Sequence, residues 1–72
     1  MIKKLIHIDG MGCQNCVKHV HEALTNLESV IEAEVSLEKN SALITLSGDI
    51  DDSEIINAID EAGYDVTKIE AA

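Results

Sequence analysis

The sequence predicts an α+β fold of order β-α-β-β-α-β, with a four-stranded antiparallel sheet covered on one face by two helices. Three observations carry this expectation. Apolar residues alternate with period two in four short stretches, they recur at helical spacing in two longer ones, and the two kinds interleave in that order. The length, 72 residues, allows one small domain over 1–72, in which a single core supplies only about 3–5 kcal/mol of net stability. Hydrophobic residues make up 46% of the chain, more than a disordered composition carries, so the chain is expected to fold.

Ile6 and Ile8 alternate with Leu5 and His7, predicting a first strand over roughly residues 2–8. Asp9-Gly10-Met11-Gly12 breaks the alternation and predicts a loop. From Gln14, Val17, Val20, Leu24 and Leu27 fall on one helical face, with Lys18, His19, His21 and Glu22 largely off it, predicting a helix to about Leu27 or Glu28. Ala33, Val35 and Leu37 then alternate with Glu32, Glu34 and Ser36, a strand with one wet face. Glu38-Lys39-Asn40-Ser41 is a polar break of hairpin length. The next strand carries Ala42, Ile44 and Leu46 on one face and ends at Gly48. Asp51 with Glu54 resembles a capping box opening a second helix, lined by Ile55, Ile59 and Ala62 and closed by Gly63. Tyr64, Val66 and Ile69 make the last strand. Two helices on one face of such a sheet bury all these stripes together, as in the ferredoxin-like split βαβ.

Charge excludes several functions. With 14 acidic against 5 basic residues and a formal charge of −9, no basic stripe is available to neutralise phosphates. Tyr64 is the lone aromatic, so there is no base-stacking platform either, and nucleic acid is not an expected partner. No apolar run approaches the roughly 20 residues of a membrane span. The N-terminal apolar stretch is broken by His7 and ends at Asp9 without a small-residue cleavage site, so a cytoplasmic protein is expected. The length excludes any large multi-layer catalytic fold, and the leading expectation is a non-enzymatic binding module.

The chemistry-bearing segment is Gly10-Met11-Gly12-Cys13-Gln14-Asn15-Cys16. A two-residue gap lets both sulfurs converge where the loop enters the first helix, with unpaired N–H groups and the positive end of the dipole favouring thiolate. Two soft anionic ligands suit a soft, low-coordinate ion, Cu(I) first of all. Structural zinc and iron–sulfur clusters generally take four ligands. A c-type haem needs His after the second cysteine, where Val17 stands. On spacing alone, thiol–disulfide redox chemistry and a zinc, mercury or cadmium site stay open. The absence of any proline counts against the former.

This segment resembles the GMxCxxC signature of the heavy-metal-associated domain family. The likeness extends through Val-Ser-Leu-Glu-Lys-Asn-Ser-Ala (35–42) to Glu-Ala-Gly-Tyr-Asp-Val (61–66). Within the family the chain looks most like free-standing bacterial cytosolic copper chaperones. The resemblance implies that Cys13 and Cys16 bind the metal, that Met11 anchors the loop, and that Tyr64 faces the metal from the late loop. It also implies delivery of Cu(I) to a like-folded metal-binding domain of a P-type copper-transporting ATPase. Gly12 stands where Thr or Ser is common, which loosens the loop without changing the ligands.

The remaining polar residues have plainer uses. Met11 can serve as a thioether ligand, but Met more often fills gaps in a core. His19 and His21 lie two apart on a helix and point in different directions. His7 sits mid-strand, and all three histidines are expected at the surface. Asp49, Asp51, Asp52 and Glu54 lack the spacing of an EF-hand and read as helix capping and solubility. Because one chain supplies two sulfurs, an exposed cysteine loop can meet a copy of itself in a metal-bridged homodimer.

Overall fold

A computed structural model describes residues 2–12 and 14–72. The elements run β1 (Ile2–Asp9), α1 (Gln14–Thr25), β2 (Val30–Ser36), β3 (Ser41–Leu46), α2 (Asp52–Glu61) and β4 (Asp65–Ala71). The strands form one sheet in the order β2-β3-β1-β4, each neighbouring pair antiparallel. This is the expected ferredoxin-like architecture.

The alternation in the sequence sets which face is buried. Ile6 and Ile8 of β1 and Ala42, Ile44 and Leu46 of β3 meet Val20 and Leu24 of α1 and Ile55 and Ile59 of α2 in one core. Burying a valine, leucine or isoleucine side chain stabilises by about 1.5–3 kcal/mol. Cross-strand pairs Ile6↔Ala42 and Ile6↔Ile69 fix the register of β1 against both neighbours.

Several boundaries differ from the sequence expectation, each for a local reason. Helix α1 ends at Thr25 rather than near Leu27. The Thr25 hydroxyl donates back to His21 O (2.9 Å), and Thr and Asn favour such local alternatives to a continuing helix. Leu27 lies in the turn that follows and still packs against the core. Leu37 falls in the β2–β3 turn rather than in β2, also half-buried against the core. In β2 the register shifts between Val30 and Glu32, so Val30 and Ala33 both face inward despite their odd spacing, leaving Ile31 exposed. A second shift, between His7 and Ile8, skips Thr67 of β4; the Thr67 hydroxyl donates to His7 O (3.2 Å).

Asp51 is the N-cap of α2, as expected, but its side chain makes no capping bond; instead Glu54 N donates to the Asp51 backbone carbonyl (3.0 Å). Gly63 closes the helix at φ +97°. Gly63 N donates to Asp60 O and Tyr64 N to Ile59 O, the paired bonds of a Schellman motif that a glycine at this position permits.

The acidic run has a partner the sequence reading did not assign. Lys4 shares the parity of Ile6 and Ile8, so its stem lies along the core face. Its Nζ reaches Asp52 Oδ1 (2.7 Å), Asp49 Oδ1 (3.4 Å) and Ile50 O (3.3 Å). The bond to Asp52 raises the Lys4 pKa above 10.5, against the opposing effect of burial. A raised lysine pKa contributes stability that is complete below the unfolded value and lost as pH climbs through the folded one. Lys4→Met, which keeps the stem, should therefore cost about 1 kcal/mol near neutral pH. In urea unfolding the difference from the parent chain should close only above about pH 10.5; closure at lower pH would locate the contribution elsewhere.

Candidate metal centre

The loop between β1 and α1 is tied down from several sides. Gly10 leaves β1 at φ +99°, where a side chain would be strained. A Cβ at Gly10 would meet Tyr64 Cδ1 at 3.6 Å, so the half-buried tyrosine ring lies against the loop backbone. Met11 turns inward and joins the core, only 6% exposed. Gly12 is exposed, with nothing within 4 Å of where a Cβ would stand.

Helix α1 starts at Gln14, which places Cys16 in its first turn, half-buried and packed against the core. Cys13 lies outside the described residues. The first turn of α1 contains no acidic residue, whereas that of α2 holds Asp52 and Glu54. The N–H groups and partial positive charge at the start of α1 are thus not met by carboxylates from its own first turn, and they favour an anionic group there. A thiolate is such a group. Met11, Cys16 and Tyr64 all pack on the same core, and Tyr64 and Met11 are brought to one end of the sheet with Gly10. Asp9 and Asp65 pair directly across β1 and β4 at this end and are both exposed, giving the surroundings of the loop a negative character.

The histidines are not gathered here. His7 lies on the outer sheet face with Nε2 3.2 Å from Glu70 Oε2, and Glu70 also takes Lys68 Nζ at 2.8 Å. These two contacts, Lys68 first, hold the Glu70 carboxyl below its ordinary value. His19 and His21 are exposed on α1. Among the described residues no group of three or more His, Cys, Asp or Glu could hold a metal ion. Nor is any helix of the described residues long and apolar enough to cross a membrane.

One residue beside the loop was read in the sequence only as part of a polar turn. Asn40 adopts φ +50° at the end of the β2–β3 turn, and its carbonyl accepts from Ile8 N (2.8 Å). The available signal was the tolerance of asparagine for left-handed backbone; its proximity to the loop follows only from the register of β1 on β3.

Similarity to known proteins is consistent across sequence and structure. The chain is 37% identical over 67 residues to the copper chaperone CopZ of Staphylococcus haemolyticus, covering 92% of this chain and 98% of the chaperone. It is 43% identical over 60 residues to the mercuric reductase of Shewanella putrefaciens, covering 83% of this chain but only 11% of the reductase. A crystal structure of a copper-binding domain from a P-type ATPase superposes with a TM-score of 0.83 at 29% identity, covering 100% of this chain and 95% of that domain. The model of the heavy-metal-associated domain matches residues 5–65, and the chain belongs to that family.

Proposed function

We propose that this chain is a cytoplasmic copper(I) carrier that binds its ion through Cys13 and Cys16 and passes it to the metal-binding domain of a P-type copper-transporting ATPase. The observation that carries the reading is the CxxC pair of the sequence, with Cys16 in the first turn of α1, a turn that holds no carboxylate, in a chain that spans 98% of a copper chaperone. Two thiolates would supply the soft ligands that Cu(I) favours. A thiolate of the incoming domain forms a third Cu–S bond, one of the two original bonds then breaks, and a second incoming thiolate replaces the other. The copper stays Cu(I) throughout, so the step is ligand exchange without oxidation or reduction. In this reading Met11 anchors the loop, as its burial supports, Gly12 leaves one side open to the partner, and Tyr64 shields the ion from the other.

The likeness to part of a mercuric reductase supports a second reading, in which the same cysteines carry Hg(II). Anaerobic competition among Cu(I), Hg(II), Zn(II) and Cd(II), followed by metal analysis, separates these. Redox cycling of the two thiols as the primary activity predicts disulfide turnover with a reductant and no preference among metals.

Cys13→Ser and Cys16→Ser should each weaken Cu(I) binding by more than about a hundredfold, beyond the loss that follows removal of a mere supporting group. Circular dichroism should show the fold retained. Near-parental affinity of either variant in a chelator competition would overturn the two-thiolate site.

Transfer to a cognate ATPase domain should slow as ionic strength rises, because a charge of −9 steers the chain toward a positive face. Stopped-flow rates independent of salt would assign recognition to apolar contacts instead.

Sedimentation should show a metal-free monomer, since two chains of like charge repel, and association on adding Cu(I) that glutathione reverses. A stable metal-free dimer would place the assembly on another surface.

A further inference from the structure

The β2–β3 turn sits at the same end of the sheet as the Gly10–Gly12 loop, because β1 and β3 are antiparallel with His7 opposite Ser41. Asn40, the last residue of that turn, is held in left-handed backbone at φ +50°. Its carbonyl accepts from Ile8 N at 2.8 Å, next to the end of β1. With the amide nitrogen turned inward, the side chain donates to Leu37 O and to Met11 O, both at 3.2 Å. Leu37 belongs to the turn itself, but Met11 belongs to the loop. Asn40 therefore grips the chain on both sides of Gly10, through Ile8 before it and Met11 after it. Gly12 has no side chain and open space around it, so it adds no packing of its own beyond Met11.

We propose that Asn40 is a positioning residue for the metal loop: its amide ties the Met11 carbonyl to the β2–β3 turn and so holds the segment that leads into Cys13 and Cys16. The inference rests on the copper-carrier reading for its consequence and on the hydrogen bonds for its mechanism. A residue needed only for the turn would have to supply positive φ and nothing more, which glycine does at least as well. The amide donation to Met11 is what distinguishes the two roles.

Asn40→Gly keeps the backbone conformation and deletes both donations. Asn40→Asp keeps the size and, ionised, has no donor. Ser36→Ala is the control, because it removes the Ser36 Oγ that accepts from Lys39 N (3.3 Å) within the same turn and leaves the loop untouched. Two measurements are made on each variant: amide order parameters at Met11 and Gly12 in the metal-free protein by NMR relaxation, and Cu(I) affinity by chelator competition. Both Asn40 variants should lower the order parameters from about 0.85 toward 0.6. They should weaken Cu(I) binding about fivefold, the equivalent of one net hydrogen bond. Ser36→Ala should change neither, whatever it does to the melting temperature. Unchanged order and affinity in the Asn40 variants would overturn the proposal, as would an equal change in Ser36→Ala. Failure of the parent chain to compete for Cu(I) would instead sink the carrier reading, while the order parameters still decide whether Asn40 holds the loop.

Discussion

The course of the Gly10–Gly12 segment depends on β1 being fixed. That strand lies inside the sheet, bonded to β3 on one side and β4 on the other, with Ile6 and Ile8 sealed in the core. The loop starts where this strand stops, at Gly10, and regains the core one residue later at Met11. A loop that leaves a fixed strand and is anchored again one residue later has little backbone freedom left, and each freely rotating residue in its place would cost about 1–2 kcal/mol to order. Folding itself thus fixes the chain from Gly10 to Met11.

The two helices divide the electrostatic labour. Asp52 and Glu54 occupy the first turn of α2, and Asp52 is in turn paired with Lys4, so the charge at this helix start is consumed in holding the fold together. The start of α1 has no such acids and remains disposed toward anionic sulfur. One helix N-terminus thus carries its own carboxylates and the other stands open to an anionic group. The distinction arises from only a few residues at equivalent places.

The arrangement of elements was legible because the apolar alternation is clean. Ala42, Ile44 and Leu46 could face only one way, and β3 follows. Legibility failed where polar atoms competed with the regular ladder. The back-bonding hydroxyl of Thr25 shortened α1, and the register shift beside Ile31 restored Val30 to the core in a manner no period-two pattern encodes. The motif residues around the loop were visible as a string. That Lys4 would bridge to the acidic run, or that Asn40 would lie against Met11, depends on strand register, which joins residues far apart in the chain. The Asp51 side chain shows the converse. A local pattern pointed to a cap, but its carboxylate makes no capping bond.

The two irregular strands have a bearing on how this small sheet behaves when concentrated. β2 and β4 are its margins, and both carry register shifts, one at Ile31 and one at Thr67. A straight margin exposes a row of unpaired amides and carbonyls on which another chain can add a strand, whereas a kinked, charged one presents a poor template. Glu32 and Glu34 on β2 and Lys68 and Glu70 on β4 add charge along both borders. Growth by strand addition, the route toward fibrils, is thereby discouraged on either side, and contact between copies is left to surfaces other than the sheet's own edges.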